Sequence, residues 1–236
     1  MNAVLHRVFL LLVIAALALV TPAPIHAWEL KETGLERVST PSALYSIPAQ
    51  TSADFNQDGI TETLTLNEGR ATIQTRDQIR WRSPEAWQVR QALIADLNRD
   101  NLPEAVLLVW RPFKPWPVDA WLPVGGRIDS FHDSKGMSCH IILIGWHRDS
   151  FRERWAGSAL AEPVERFVVA DLAGNGQQYL VTLEGKYDDP PSAPSRNLKV
   201  WEWNGFGFTV VYAMPGSFSL MATTQTQDGR VLILSD

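Results

Sequence analysis

The chain is 236 residues long and carries 21 Lys and Arg against 26 Asp and Glu, a formal net charge of -5. A hydrophobic fraction of 45% excludes a disordered chain, and a single cysteine excludes an intrachain disulfide framework. The acid excess argues against a dedicated nucleic-acid binder, and the length allows one domain, or two small ones, with ample core.

The first 27 residues read as a secretory signal peptide. Arg7 is the only Lys or Arg before Lys31, and the apolar run Val8 to Val20 follows it, then small residues and prolines up to Ala27. Such a run falls short of the ~20 residues that span a bilayer. Cleavage is expected after Ala27. That leaves Trp28 as the new N-terminus of a chain of 209 residues in an extracytoplasmic place: secreted, periplasmic or held at the cell envelope. No membrane span is expected after cleavage. Cys139, in an apolar run, reads as a buried inert thiol.

The remainder repeats. Thr51–Leu66, Leu93–Val109 and Val168–Leu183 each show a short apolar strand, Ala-Asp, a polar turn and a second strand; Leu220–Leu234 is a weaker copy. The aligned aspartates are Asp54, Asp96 and Asp171. Two further segments, Ile141–Trp155 and Leu198–Tyr212, match as strand, tight turn, strand, the second turning at Asn204-Gly205. No long stretch keeps a 3.6-residue period. Each unit is therefore four antiparallel strands, and a unit of ~40–50 residues reads as a propeller blade. The expected fold is all-β: a β-propeller of four blades, with residues 47–87 as blade 1, 88–163 as blade 2 and 164–215 as blade 3. Blade 4 is split between 28–46 and 216–236, so that N- and C-terminal half-blades close the ring and remove two open edges.

Two loops carry acids in a metal-like pattern. Asp54, Asn56, Asp58 and Glu62 stand at positions 1, 3, 5 and 9 of the first loop, with the Ile60 carbonyl at position 7. Asp96, Asn98, Asp100, Glu104 and the Leu102 carbonyl repeat that set in the second. Three carboxylates around one centre repel unless a hard cation joins them, and calcium is the natural occupant. The alternative is that these acids cap the turn through side-chain to backbone hydrogen bonds. Gly59 and Asn101 sit where the chain turns sharply and tolerate positive φ. An EF-hand fails, because position 12 is Thr65 or Leu107. These loops resemble the FG-GAP/VCBS repeats of integrin-α-like propellers, in which D-x-[DN]-x-D-G-x-x-[DE] joins two blade strands. That resemblance implies structural calcium that braces a blade. The loops at Asp171 and at Thr224 lack ligands and are not expected to bind metal.

Insertions at 111–138 and 185–197 fall on connections that leave the same end of the ring, away from the acidic loops. Phe113, Trp116, Trp121 and Tyr187 are the candidate ligand-binding residues there, set in a proline-stiffened segment. The competing reading is that these aromatics pin the insertions to the ring. Trp146, Trp155, Trp201 and Trp203 recur in strands and read as core between blades. No catalytic constellation emerges, so a non-catalytic protein that binds a protein or glycan partner is expected, acting as a monomer. The alternatives are a polysaccharide hydrolase or lyase using insertion acids, and a cell-envelope assembly scaffold.

Overall fold

The computed structural model describes residues 23–41, 45–115 and 131–236. Most of the expected signal peptide, and the part of the large insertion that holds Trp116 and Trp121, lie outside the described residues. Among the described residues every regular element is a strand. Near the N-terminus are β1 (His26–Lys31), β2 (Gly34–Val38) and β3 (Tyr45–Ser46). Then come β4 (Ser52–Ala53), β5 (Glu62–Asn67), β6 (Arg70–Thr75) and β7 (Gln78–Arg82). They are followed by β8 (Gln88–Ala95), β9 (Glu104–Pro112), β10 (Met137–His147) and β11 (Ser150–Ala156). The chain continues through β12 (Val164–Ala170), β13 (Tyr179–Glu184), β14 (Ser195–Trp203) and β15 (Phe208–Phe218), and ends with β16 (Met221–Gln225) and β17 (Val231–Ser235). Among the described residues no helix is long and apolar enough to cross a membrane.

The strands form four antiparallel sheets. Three are four-stranded meanders: β4 to β7, β8 to β11 and β12 to β15, here the first, second and third sheets. The terminal sheet has five strands in the order β2-β1-β17-β16-β3, so both ends of the described chain share it. His26 pairs with Ser235, Ala27 with Leu234 and Trp28 with Ile233. The Trp28 indole N–H donates to the Ser235 hydroxyl at 2.9 Å.

Side-chain alternation decides how the sheets stack. Strands β9 and β10 are buried along almost their whole length, as expected of strands covered on both faces. Leu107, Val109, Ile142 and Ile144 pack with Phe55, Leu64 and Ile73 of the first sheet and its loop. Their neighbours Val106, Leu108, Ile141 and Leu143 point the other way, onto Phe167 and Leu180 of the third sheet. The third sheet in turn packs Val181, Leu183 and Val200 against Met221, Ile233 and Leu35 of the terminal sheet. The strand tryptophans follow this plan: Trp146 joins the first core cluster, and Trp155, Trp201 and Trp203 join the second. The strands β8, β12 and β16, with the segment 47–50, line one central pocket of about 220 Å³. Across that centre the Gln91 side chain bridges to β12. Its amide donates to the Phe167 carbonyl at 2.6 Å and its oxygen accepts from the Phe167 N–H at 3.0 Å.

The expected closed ring is corrected here. Among the described residues, core clusters bridge three successive pairs of sheets, and none bridges the terminal sheet to the first. The last cluster, built on Ala27, Leu232 and Leu234, belongs to the terminal sheet alone. The physical reason lies in the outward face of the first sheet. There Thr63, Thr65, Thr72 and Gln74 alternate with the buried Leu64, Ala71 and Ile73. Its hydroxyls bond to one another, Ser52 to Thr63 at 3.4 Å and Thr65 to Thr72 at 2.6 Å. A face of this kind has little apolar area to bury, so little drives it onto another sheet.

Phe167 has no exposed surface and anchors the joint between the second and third sheets. Phe167→Ala is expected to destabilise the fold by about 3–5 kcal/mol, read from urea denaturation midpoints.

Candidate functional sites

The three loops after Asp54, Asp96 and Asp171 share one backbone design. Positive φ occurs at the fourth and sixth positions of each: Gln57 and Gly59, Arg99 and Asn101, Gly174 and Gly176. The first aspartate holds that shape. Asp54 accepts from the N–H groups of Asp58 at 3.1 Å and Gly59 at 2.7 Å; Asp96 accepts from Asp100 at 3.2 Å and Asn101 at 3.0 Å. Asp171 does the same with Asn175 and Gly176. The N–H groups of Ile60 and Leu102 donate to Asp58 and Asp100. Turn capping is therefore present in all three loops. The loops also touch: Gln57 donates to the Asn101 carbonyl at 3.3 Å, and the Asp96 N–H donates to Gln178 at 2.8 Å.

Only the second loop gathers a triad. Among the described residues, Asp96, Asp100 and Glu104 offer carboxylate oxygens that all lie within 4.8 Å of one another. The first loop has the same acids, and the strand behind it explains the difference. Glu62 accepts from Phe55 N–H on one oxygen, and its other oxygen is taken by the Thr75 hydroxyl of β6 at 3.1 Å. In the second sheet Ala105 pairs with Ile144, which sets Glu104 beside Gly145, a residue with no side chain to offer. Glu104 keeps the equivalent bond from Leu97 N–H at 3.3 Å, and its second oxygen turns into the loop to meet the Asn98 amide. A Cβ at position 145 would also press on Glu104 and on the Arg154 stem. Arg154 crosses this gap to donate to Asp100 at 3.2 Å and so offsets part of the acid charge.

Glu104 is buried. Burial first, then Asp100 and Asp96, push its carboxyl from the ordinary 4.5 up to about 8. The donor set suits a hard cation. Three carboxylates, the Asn98 amide oxygen and the Leu102 carbonyl are all oxygen donors, and oxygens around calcium at ~2.3–2.6 Å can stand up to ~5 Å apart.

The two insertions meet at the opposite end. Antiparallel meanders alternate their connections, so the β9–β10 and β13–β14 links leave the end away from the acidic loops. His132 and Ser134 of one link, Lys186 to Asp189 of the other, and Ala161 and Glu162 before β12 line an open pocket of about 690 Å³. Phe113 is half-buried and its ring lies 5.2 Å from that of His132. Tyr187 acts as an anchor: its hydroxyl donates to the Leu160 carbonyl at 2.7 Å and accepts from Cys139 N–H at 3.1 Å, while its ring meets Trp110 edge-on. Asp189 is paired with Arg196, whose hydrogen bonds hold its carboxyl down at about 2. Asp133 caps the N–H groups of Lys135 and Met137.

One polar arrangement escaped sequence reasoning. Ser138 and His140, two apart on β10, share a face, and the hydroxyl lies 2.8 Å from Nε2. The Gly157 carbonyl sits 3.0 Å from Nδ1 and can only accept, so Nδ1 carries the proton and Nε2 accepts from Ser138. Burial lowers the imidazole pKa to about 4, so the ring is neutral at pH 7. Ser138 and His140 are 1% and 4% exposed, and the pair ties β10 to the chain that leaves β11. Cys139 faces the other way, with its thiol pushed up to about 12 by burial. Compared with models of known protein families and with curated proteins, the sequence matches none.

The Glu104 carboxyl gives a pH signature. Between about 4.5 and about 8 the folded chain keeps a proton that the unfolded chain releases. Its contribution to stability is complete below the lower value and is lost as pH rises through the upper one. In chelator the melting temperature should fall across that window, and Glu104→Gln should flatten the fall. An equal slope in both proteins would contradict the assignment.

Proposed function

We propose that the four sheets are blades of an open, integrin-α-like propeller that works outside the cytoplasm as a non-catalytic binding protein. The partner, a protein or a glycan, docks at the end where the insertions lie. One observation carries this reading: two insertions on neighbouring sheets converge on a single open pocket, at the end opposite the acidic loops. Sheet order supports the propeller, because each outer strand leads to the next inner strand and the inner strands surround a common centre. Phe113 and Tyr187 shape the wall beside that pocket, and the segment with Trp116 and Trp121 continues from it in sequence.

In the same reading the second acidic loop holds a structural calcium ion. Asp96, Asp100 and Glu104 supply charge, and Asn98 and Leu102 supply neutral oxygens. The ion's chemistry is electrostatic: it cancels repulsion among three carboxylates and fixes the turn between β8 and β9. The first loop, with Glu62 committed to Thr75, is the weaker candidate. Export follows from the N-terminal sequence pattern. Cleavage after Ala27 removes His26 and Ala27 from β1 and leaves the pairing of Trp28 with Ile233.

Three measurements test this. Calcium should raise the melting temperature of the wild-type chain, and Asp96→Ala should abolish the rise while Asp171→Ala, in a loop with fewer acids, preserves it. A rise of about 2.7 kcal/mol is expected at a hundredfold excess over Kd. On a glycan array, Trp116→Ala with Trp121→Ala should lose binding; unchanged binding would sink the assignment to this face, and silence of the wild-type chain would remove the glycan half of the reading. N-terminal sequencing of the exported chain should begin at Trp28.

A further inference from the structure

The pocket between the insertions has a neighbour. A second open cavity, of about 230 Å³, lies between the second and third sheets. Aliphatic Ile141, Val164 and Leu180 and the rings of Trp155, Trp201 and Phe208 wall it. Trp155 and Phe208 meet edge to face at 5.0 Å. Residues 157–161, which lead from β11 toward β12, complete the wall, and Ala161 lines the insertion pocket as well. The Tyr187 hydroxyl fixes that shared wall by donating to the Leu160 carbonyl at 2.7 Å. An apolar chamber and a polar vestibule therefore adjoin at one residue.

We propose that the partner at this end is a protein, which inserts one large apolar side chain into the chamber and sets a basic residue against Glu162. This rests on the reading that a partner docks where the insertions lie, and it chooses between the two partner classes named there. Size is the first ground. The chamber is smaller than the ~300–1,000 Å³ that holds a whole small ligand, and it suits a single anchor whose chain continues outside. Polarity is the second. The Trp201 indole N–H donates to the Thr182 hydroxyl at 2.8 Å, and that hydroxyl donates to Glu184 at 2.6 Å, so neither is free to serve a sugar. Sugar hydroxyls against the aliphatic wall would lose their hydrogen bonds to water, whereas a Phe or Leu side chain has none to lose. Charge is the third. Around the vestibule Glu162, Glu184, Asp188 and Asp189 face Lys186, Arg196 and Lys199, four carboxylates against three cations among the described residues. Lys199 lies 2.7 Å from Glu162 and 2.6 Å from Glu184, so one lysine serves two acids. A Lys or Arg beside the anchor supplies the missing charge.

The probe is N-acetyl-Phe-Lys-amide, followed by methyl NMR of the wild-type chain, which depends on no variant folding. It should shift the methyl signals of Ile141, Val164 and Leu180 in the millimolar range. N-acetyl-Ser-Lys-amide should leave them in place, and N-acetyl-Phe-Glu-amide should bind about threefold more weakly or worse. Glu162→Gln should erase that preference for Lys over Glu. Ala159→Trp, which fills the chamber, should abolish the shifts. Silence of the Phe-Lys probe overturns the proposal, as do equal shifts from the Ser-Lys probe or shifts that survive Ala159→Trp. Equal binding of the Phe-Lys and Phe-Glu probes overturns the basic flank. If the peptides move nothing while the wild-type chain binds the glycan array through Trp116 and Trp121, the binding end stands and only this inference falls.

Discussion

The hydrogen bonds between β1 and β17 are the constraint on which the rest of the molecule depends. The terminal sheet cannot exist until the last strand of the chain reaches the first, and this pairing closes about 200 residues of intervening sequence. Closing so long a segment costs entropy that only later contacts return. Those contacts are the stacked faces of the second and third sheets, which give the terminal sheet a surface to dock on. Trp28 and Ile233 sit at the junction, paired with each other and both packed against the third sheet's core.

Much of this was legible in the sequence. The Asp-x-Asn-x-Asp runs marked the turns, and Gly59 and Asn101 marked the sharp bend at the sixth position. The strand tryptophans were read as packing residues because they recur in strands, and Trp146, Trp155, Trp201 and Trp203 do pack against the core clusters. What escaped was whatever depended on register or on an unusual backbone. Gln57 and Arg99 adopt positive φ without being glycine or asparagine, since the aspartate at position one over-determines the turn. Gln91 looks like an ordinary strand residue and serves as a bridge between sheets. Ser138 and His140 became a pair only when Gly157 was placed beside them. The polar outer face of the first sheet was visible as Thr-Leu-Thr-Leu alternation, but the symmetry of the repeat suggested a closed ring more strongly than that alternation argued against one.

Two buried groups, His140 and Glu104, act on the pH response in opposite senses. Below about 6.5 the unfolded chain protonates at His140 while the folded chain resists down to about 4, so that residue makes acid destabilising. Glu104 acts in the opposite sense and weakens the fold toward alkaline pH. A cation held by Asp96, Asp100 and Glu104 would remove only the second effect.

Thr75 and Gly145 occupy equivalent places on neighbouring sheets, and neither belongs to an acidic loop. Yet the hydroxyl of one ties up a glutamate that the other leaves free. Repeat units that look interchangeable by their loop motif can thus diverge through a residue one strand away. In a repeated array a single exchange one strand behind the loop can therefore commit or release an acid while every residue of the loop stays the same. Two loops with identical donors are, for that reason, two different chemical sites.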